Sequence, residues 1–462
     1  MVKVGLEVHG YILMEQSKKK LFCECQVSNE DSVPNTNICP ICTAQPGSKP
    51  MLPNKEAVDK AVEIGLMLGC KISPILMFQR KHYNYPDLPN GYQKTMSGSY
   101  SMPVGIKGSF LGIGIQQVHL EEDPARYDPV TGTVDYNRSG MPLIEIVTDP
   151  DFKSAAEVEN WLKKLMTTLS YIKAISKEAG VKADVNVNIE GHPRVEIKNV
   201  NSFSSIVRAI NAEEKRQKKV TEAGEKVSQH TRAWDDANGE TQFMRSKEQA
   251  MDYMFIPEPD LPFIDIKESY IKQLKSKLPE RPDEKIKKYE KLGIEKLDAE
   301  VLASDIILAE LFEKISKTVD KVLTAKWLRR EFVRIANYHN KDLDLVTIPV
   351  ESLTKLFKLI ETKKITEKVG QKIMNELGDA YIKNNKDFDI DKYIRENQLE
   401  TVSDTGALNT ACDEVIAQNE NVVNDYKSGN EKSINFLVGQ VIRKNRGANA
   451  GEILEILKKK LA

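Results

Sequence analysis

Hydrophobic and polar residues alternate with the period of β-strands in several segments of the N-terminal part of the chain. From residue 2 to residue 9 the even positions hold valine or leucine, whereas Glu7 and His9 lie on the opposite side of the segment. Residues 184–189 and 194–198 alternate in the same way on either side of a short turn. This pattern predicts an antiparallel hairpin with a polar, partly acidic face.

Helical patterns separate these strands and then dominate the rest of the chain. We predict one helix from about Lys55 to Leu68, another from about Ser154 to Ala179, and a hinge at 400–406. Beyond residue 266 the chain is rich in lysine, glutamate and leucine with helical spacing. The predicted fold class is α+β, with an antiparallel-sheet domain over residues 1–266, an all-α helical domain over 267–400 and a small all-α tail domain over 401–462.

Composition and charge limit the possible functions. The chain has 462 residues with 67 basic and 68 acidic side chains, which gives a formal net charge of −1. Any contact with nucleic acid therefore needs a local basic patch. Residues 431–462 contain three glutamates against seven basic residues: Lys432, Arg443, Lys444, Arg446, Lys458, Lys459 and Lys460. This basic stripe fits contact with a phosphate backbone, although a solvated helix face would give the same pattern.

Several kinds of segment are missing from the sequence. No apolar run approaches the ~20 residues that span a bilayer, and the N-terminus lacks the apolar region of a signal peptide. We therefore expect a cytoplasmic protein without membrane contact. The glycine-rich motifs of P-loop and Rossmann nucleotide sites and the G-x-S-x-G motif of hydrolases are also absent.

Four of the six cysteines form two close pairs. Cys23-Glu24-Cys25 is followed, after thirteen residues, by Cys39-Pro40-Ile41-Cys42. Two pairs of thiolates supply the tetrahedral ligand set of a structural zinc ion, with no open position for water. Four free thiols without a metal are the alternative. The isolated Cys70 and Cys412 are expected to be packed in the interior.

Acidic residues occur where strands should be apolar. Glu145 interrupts the apolar segment 143–147, and a buried carboxylate there needs a cation or another partner. Strand-like segments elsewhere contribute further candidate ligands: Glu7, His9, Glu121, Glu122, Asp184 and Glu196. Oxygen ligands from several strands of one sheet would form a Mg²⁺ site. Ordinary salt bridges, and for His9 a purely structural role, are the alternatives.

The segment 78–93 is dense in basic and aromatic residues. Such a composition is typical of a loop that contacts phosphates and stacks on bases or sugars. A surface loop with structural aromatic residues is the alternative.

Eight segments, in order along the chain, resemble one family. They are GLEVH at 5–9, the CxC and CPxC pairs, RKHYNYPDLPNGYQ at 80–93, HLEEDPAR at 119–126, DYNRSGMPLIEIVTDPD at 135–151, VEIKNVNSF at 195–203, TRAWDDANGETQFMRSKEQAMDYMFIPEPDLP at 231–262 and FLVGQVIRK at 436–444. These segments resemble the B subunits of the tRNA-dependent amidotransferases that act on Asp-tRNA(Asn) and Glu-tRNA(Gln). The related E-type subunits carry an inserted domain for which this chain has no segment.

The resemblance implies a catalytic cradle domain similar to glutamine synthetase, a helical domain and a tail that contacts tRNA. It also implies a reaction, in which ATP phosphorylates the side-chain carboxylate of Asp-tRNA(Asn), Glu-tRNA(Gln) or both, and ammonia then converts the acyl phosphate to an amide. Ammonia would arrive through a tunnel from the A subunit, an amidase-type glutaminase. A small C subunit, the misacylated tRNA and the non-discriminating aminoacyl-tRNA synthetase are the other implied partners.

The resemblance also assigns roles to residues of this chain. The predicted catalytic residues are Glu7, His9, Glu121, Glu122 and Glu145. The predicted ligands are Glu7, His9, Glu121, Glu122, Asp184 and Glu196 for Mg²⁺, and Cys23, Cys25, Cys39 and Cys42 for structural Zn²⁺. Arg80, Lys81 and Tyr92 are the predicted contacts of ATP. A zinc-stabilised tRNA-binding scaffold without its own catalytic site is the alternative function.

Overall fold

The structure is a computed structural model of the chain, and it describes residues 2–29, 31–100, 102–175, 181–246, 253–400, 405–444 and 450–461. The chain divides into two compact units, Met1–Arg281 and Pro282–Ala462. The domain boundaries at 266 and 400 stay predictions, and positions 401–404 of the predicted hinge lie outside the described residues.

The strands of the described residues all belong to the first unit. They are β1 (Val2–Tyr11), β2 (Lys71–Ile72), β3 (Ile75–Leu76), β4 (Gln79–His82), β5 (Tyr92–Thr95), β6 (Gly105–Phe110), β7 (Ile113–Glu122), β8 (Arg126–Tyr127), β9 (Val134–Asp135), β10 (Pro142–Thr148), β11 (Val181–Ile189), β12 (Val195–Val200), β13 (His230–Asp235), β14 (Glu240–Ser246), β15 (Met254–Pro257) and β16 (Ile264–Asp265).

One large sheet contains twelve of these strands and organises the first unit. Its order is β14-β13-β12-β11-β1-β10-β7-β5-β4-β15, with β6 paired to β7 and β2 paired to β6. The pairs are antiparallel except for the parallel pair β12–β13. The predicted α+β fold with a mostly antiparallel sheet is therefore confirmed.

The alternation predicted for the first strand is also confirmed. Val4, Leu6 and Val8 are almost completely buried on one face of the sheet. Glu7 and His9 are half-buried on the other face. The central strand therefore contributes both to the hydrophobic core and to a polar surface, because successive side chains point to opposite faces.

Three helices cover the apolar face of this sheet: α1 (Lys55–Met67), α2 (Ala155–Tyr171) and α3 (Phe203–Glu222). The side chains of Asn54, Ser154 and Ser202 cap their N-termini by accepting hydrogen bonds from backbone N–H groups of the first turns. The predicted helix from Lys55 agrees with α1 to within one residue.

Helix α2 is shorter than predicted. It ends at Tyr171 rather than near Ala179, and positions 176–180 lie outside the described residues. Lys173 adopts a positive φ of 47°, and Ala174 N–H bonds the Leu169 carbonyl at 3.1 Å. These features form a Schellman-type helix end. The sequence did not indicate it, because apolar residues such as Ile175 continue the helical spacing beyond Tyr171.

The remaining described segments are helical, as predicted for the C-terminal part of the chain. The α-helices are α4 (Glu268–Lys277), which belongs to the first unit, and, in the second unit, α5 (Pro282–Lys291), α6 (Lys296–Leu302), α7 (Ile306–Ile315), α8 (Lys321–Trp327), α9 (Val333–Tyr338), α10 (Val350–Glu361), α11 (Glu367–Gly378), α12 (Ile390–Glu396), α13 (Thr405–Gln418), α14 (Glu420–Lys427), α15 (Ile434–Lys444) and α16 (Ala450–Leu461). Short π-helical segments lie at Leu328–Phe332 and Asp379–Lys383, and 3₁₀ turns at Leu343–Leu345 and Glu431–Ser433.

The described residues of the second unit form two separate hydrophobic clusters. One comprises buried residues between Tyr289 and Leu399, and the other comprises buried residues between Leu408 and Leu461. Among the helices that the structure describes, none has the length and apolar character needed to cross a membrane.

The packing of α2 yields a stability prediction. Leu162 is fully buried beneath the sheet, so Leu162→Ala should lower the free energy of unfolding of the first unit by about 2–5 kcal/mol through lost burial and a residual cavity. Lys164 on the same helix is exposed, and Lys164→Ala should change this free energy by less than about 0.5 kcal/mol. Urea unfolding followed by circular dichroism measures both, and equal effects would contradict the described packing of α2.

Candidate metal and catalytic centre

Three neighbouring strands place two histidines and a glutamate in one row on the polar face of the sheet. The register pairs His9 of β1 with Glu145 of β10, and Glu145 with His119 of β7. The distance to Glu145 Oε2 is 3.6 Å from His9 Nε2 and 3.2 Å from His119 Nε2. Because paired residues on adjacent strands share a face, this row follows directly from the register.

Glu121 joins this row from the same strand as His119. Two steps along a strand return to the same face, so its carboxylate lies on the same side of the sheet as Glu145. Ligand atoms of His9, Glu121 and Glu145 all lie within 4.8 Å of one another. The Thr95 hydroxyl donates a hydrogen bond to Glu121 Oε2 at 2.9 Å and orients this carboxylate. We call His9, Glu121 and Glu145 the His9 group.

A second set of potential ligands continues the polar face toward β11 and β12. Ligand atoms of Glu7, Asp184 and Glu196, the Glu7 group, also lie within 4.8 Å of one another. Lys198 Nζ donates to Asp184 Oδ2 at 2.5 Å and lies 3.3 Å from Glu196 Oε1. Asn186 Nδ2 donates to Glu7 Oε1 at 3.0 Å. The Lys198 ammonium group thus lies among these carboxylates and offsets part of their negative charge.

The carboxylates of the two groups influence one another. Burial raises the pKa of Glu7, and the Glu145, Glu196 and Asp184 carboxylates raise it further. Burial and the Glu145 carboxylate likewise raise the pKa of Glu121. Carboxylates in such surroundings favour either a proton or a bound cation. Mg²⁺ prefers oxygen ligands, so this donor set fits Mg²⁺.

The histidines of the row favour their charged form, whereas Glu7 and Glu121 favour the neutral form. Burial opposes the charged form of His9, but the Glu145 carboxylate outweighs burial and raises the pKa of His9 to about 9. The pKa of His119 is raised against burial by the same carboxylate. Although burial opposes it, His119 and His9 hold the pKa of Glu145 well below its usual value. A metal ion that binds His9 must therefore displace a proton from its ring.

Glu122 is not brought into either group. Adjacent residues on a strand point to opposite faces, and the Glu122 carboxylate accepts hydrogen bonds from Lys94 Nζ at 2.8 and 3.0 Å and from the Lys94 backbone N–H at 2.9 Å. The structure therefore separates Glu122 from Glu121, with which the sequence analysis grouped it as a Mg²⁺ ligand.

Arg80 and Tyr92 lie together, apart from both groups. Arg80 Nε and Nη2 donate to the two carboxylate oxygens of Glu258 at 2.9 and 2.7 Å, and the guanidinium carbon lies 4.5 Å from the centre of the Tyr92 ring. Glu258 is buried, so this bidentate pair already engages the guanidinium group that was predicted to contact ATP.

Lys81, the next residue of β4, belongs to the opposite face. Its ammonium opposes the burial and the Glu145 carboxylate that together raise the pKa of Glu121. Of the three predicted contacts of ATP, Lys81 is therefore the one that the structure brings toward the His9 group.

The sequence analysis did not single out His119. This residue is 2% exposed in its side chain and is the closer of the two histidines to Glu145. The available signal was its spacing, because it precedes Glu121 by two residues in a strand-like segment and therefore shares its face.

A polar pocket of about 300 Å³ opens beside the His9 group. His9, Glu121 and Asp184 line one part of it, and Tyr11, Asp123 and Arg138 line another. Arg138 Nε lies 3.0 Å from Asp123 Oδ2, and the Tyr11 hydroxyl also donates to that oxygen. Potential metal ligands thus form part of the wall of a pocket that a charged substrate group can enter.

The four paired cysteines converge in a loop region between β1 and α1. Their sulfur atoms lie within 4.8 Å of one another, and the distance from Cys39 Sγ to Cys42 Sγ is 3.9 Å. None of these four cysteines forms a disulfide. A tetrahedral zinc ion with ~2.3 Å bonds to sulfur requires sulfur–sulfur distances of about 3.8 Å, which is close to the observed distance. A hydrogen bond from Cys23 lowers the pKa of Cys42 to about 5. These residues therefore fit a zinc ion, whereas Cys70 and Cys412 are buried singly, as predicted.

Comparison with known proteins gives a consistent result along the chain. Residues 2–272 match the family described as the GatB/GatE catalytic domain, and residues 310–461 match the GatB domain. The chain is 43% identical over 472 residues to the B subunit of the aspartyl/glutamyl-tRNA(Asn/Gln) amidotransferase of Methanococcus aeolicus, covering 99% of this chain and 98% of that protein. It is 43% identical over 474 residues to the B subunit of the same name from Methanocaldococcus jannaschii, covering 100% of this chain and 98% of that protein.

The cysteine geometry yields a prediction about metal content. The purified chain should contain about one zinc ion per molecule, because four thiolates form a closed tetrahedral site. Cys39→Ser with Cys42→Ser should abolish this zinc, whereas Cys70→Ser should leave it unchanged, since Cys70 lies outside the cluster. Elemental analysis measures the metal, and well under half a zinc ion per wild-type chain would contradict the site.

Proposed function

The chain belongs to the family of tRNA-dependent amidotransferase B subunits, and from this premise we propose that its first unit contains the site where the side-chain carboxylate of a misacylated tRNA is activated and amidated. The substrates proposed are Asp-tRNA(Asn), Glu-tRNA(Gln) or both, together with ATP. We further propose that the large sheet is a catalytic cradle of the glutamine synthetase type.

The observation that carries this proposal is the convergence of the His9 and Glu7 groups on one polar face beside a pocket. A free carboxylate is a poor acyl donor because its oxygen is a poor leaving group, and phosphorylation converts it to a good one. Phosphoryl transfer depends mainly on positioning and on neutralising negative oxygens. Mg²⁺ bound by the two groups would supply that neutralisation.

The residues of the chain then have separate tasks in this proposal. The carboxylates of Glu7, Glu121 and Glu145 would hold Mg²⁺, while Lys81 would contribute a positive charge to the same face. The substrate carboxylate attacks the γ-phosphorus of ATP and releases ADP, and ammonia next attacks the acyl carbon and releases phosphate. Glu122, Arg80 and Tyr92 support this site through their contacts in the same sheet, with Glu122 holding Lys94 and Arg80 holding Glu258.

The ammonia for this reaction would come from partner proteins in the proposed assembly. We propose that ammonia comes through a tunnel from the A subunit, an amidase-type glutaminase that hydrolyses glutamine, with a small C subunit and the non-discriminating aminoacyl-tRNA synthetase as further partners. The enzyme would then be an ATP-dependent ligase that forms carbon–nitrogen bonds with glutamine as the amide donor, and it would act in the cytoplasm during protein biosynthesis.

The alternative is a zinc-stabilised tRNA-binding scaffold whose partners perform the chemistry. The convergence of the Glu7, Asp184 and Glu196 carboxylates on one polar face argues against it. An RNA-binding surface attracts phosphates with positive charge, and an excess of carboxylates would repel them.

A substitution at the centre of the row tests the enzyme proposal. Glu145→Gln keeps the size of the side chain but removes the charge between His9 and His119, so ADP formation should fall by about 100-fold or more. The assay uses the chain with its partner proteins, with ammonium chloride as the nitrogen source, so that glutamine hydrolysis is not required. Misacylated tRNA is compared with correctly charged tRNA.

Glu159→Gln is the matched control, because Glu159 is a surface residue of α2 that pairs with Lys163 at 2.6 Å. It should leave ADP formation unchanged, and both variants should still bind tRNA. Undiminished ADP formation by Glu145→Gln would contradict the enzyme proposal and favour the scaffold.

The basic stripe of the tail supports a second part of the proposal, the contact with tRNA. Lys458 and Lys459 are exposed on α16, whereas Lys444 and Lys460 pair with Glu414 and Asp413. Arg446 lies outside the described residues. Lys458 and Lys459 are therefore the side chains on this helix best suited to contact phosphates.

We expect the double substitution Lys458→Ala, Lys459→Ala to weaken tRNA binding and to lower the slope of log affinity against log salt concentration by about two, one for each lost phosphate contact. The control is Lys163→Ala with Lys164→Ala, another adjacent exposed pair. Filter binding at several salt concentrations measures the slope, and equal slopes in all three proteins would exclude this contact.

A further inference from the structure

Lys20 is buried beside the four-cysteine cluster. Its side chain is among the largest fully buried side chains of the described residues, with a relative exposure of 1%. Its Nζ lies 3.6 Å from Cys42 Sγ and 3.2 Å from the carbonyl oxygen of Tyr136. Both distances allow the ammonium group to donate hydrogen bonds, one of them to a sulfur atom.

Among the residues that the structure describes, none supplies a carboxylate partner for Lys20. Within the described parts of the chain, the Lys20 ammonium group bonds only this sulfur and this carbonyl oxygen. The adjacent Lys19 instead forms an ion pair with Glu24 at the surface. A buried ammonium group is costly unless it meets negative charge, and the neighbouring thiolates are the groups that can provide it.

The backbone on both sides of Lys20 is held in place. Lys20 N–H bonds the Cys25 carbonyl at 2.8 Å, and Leu21 N–H bonds the Gly140 carbonyl at 2.8 Å. The Ser139 hydroxyl donates to the Cys42 carbonyl at 2.7 Å. These bonds connect Lys20 both to the first cysteine pair and to the segment that supports Cys42, so the position of the ammonium group is built into the site.

Charge balance explains why such a residue would be needed. Four thiolates and one Zn²⁺ carry a net charge of −2, and this charge would lie in a partly buried site. An ammonium group in contact with one sulfur reduces the net charge to −1 and makes that thiolate a weaker base. Groups next to the ligands of a metal commonly tune its affinity in this way.

We propose that Lys20 is a positioning residue of the zinc site, which donates a hydrogen bond to Cys42 Sγ and offsets the negative charge of the four thiolates. Loss of this charge should speed the release of zinc to a chelator. This inference rests on the proposed zinc site but not on the catalytic function, because no reacting group is involved.

The test compares zinc-loaded chains that carry single substitutions. Lys20→Met keeps the length of the aliphatic stem but removes the charge and the donor, and it should release zinc to a colorimetric chelator about 10-fold faster than the wild type. Lys20→Gln keeps a neutral hydrogen-bond donor, so its rate of zinc release should lie between those of the wild type and Lys20→Met. Lys19→Met is the matched control, because Lys19 faces the surface, and its release rate should be that of the wild type.

Replacement of zinc by cobalt gives a spectroscopic signal that a purely structural effect of the substitution would leave unchanged. The sulfur-to-cobalt charge-transfer band should shift in Lys20→Met and remain in place in Lys19→Met, because the charge next to the sulfur changes in the first variant alone. One zinc ion per chain with equal release rates and equal spectra would overturn the role of Lys20. A wild-type chain without zinc would instead overturn the zinc site itself.

A measurement on the wild-type chain covers the case in which Lys20→Met does not fold. Reductive methylation should modify Lys19 in the zinc-loaded chain but leave Lys20 unmodified, and removal of zinc should expose Lys20 to modification. Mass spectrometry of the peptides measures both sites. Equal modification of Lys19 and Lys20 in the zinc-loaded chain, or continued protection of Lys20 without zinc, would contradict the proposal.

Discussion

The antiparallel register of the central strands β11, β1, β10 and β7 is the constraint on which the rest of this structure depends. It sets His9 opposite Glu145 and Glu145 opposite His119, and it also sets Glu7 opposite Asp184. A shift of the register by one residue would move every one of these side chains to the other face. The same shift would bring Val4 and Leu6 out of the core, so the hydrophobic effect that stabilises the sheet also maintains the arrangement of the polar groups.

The polar face brings together carboxylates from several strands, and basic side chains of the described residues offset part of their charge. His9 and His119 offset the charge of Glu145, and Lys198 offsets part of the charge of the Glu7 group. The raised pKa values of Glu7 and Glu121 result first from burial and then from neighbouring carboxylates. Perturbed pKa values of this kind cluster at functional sites, and carboxylates held close together favour a bound cation.

The two kinds of potential metal-ligand set differ in ways that suit different roles. The sulfur ligands come from a loop region and form a closed set of four, which suits a permanent structural ion. The oxygen and nitrogen ligands come from strands of a rigid sheet and line a pocket, which leaves room for a substrate. The four-cysteine set thus lies apart from the site proposed for chemistry, and thiolate sulfur suits zinc as carboxylate oxygen suits Mg²⁺.

The sequence by itself determined the features that depend on short stretches of chain. Three such local features are the alternation of residues 2–9, the start of α1 and the close spacing of the cysteines. They are local because the strand period, the helix period and the reach of a short loop are properties of the backbone. The alternation of side chains along a strand also places Glu121 and Glu122 on opposite faces of the sheet, although the sequence analysis grouped the two. The C-terminal end of α2 was missed because a helix end set by Lys173 in a left-handed conformation leaves the apolar periodicity intact.

Only the tertiary structure decided which strands are neighbours. Glu7, Glu121, Glu145 and Asp184 are far apart in the chain, and nothing in the spacing of these residues states that β1 lies between β10 and β11. The position of His119 beside Glu145 and the pairing of Arg80 with Glu258 were settled in the same way. Strand order results from the burial of many apolar side chains at once, so it is a property of the whole first unit and not of any motif within it.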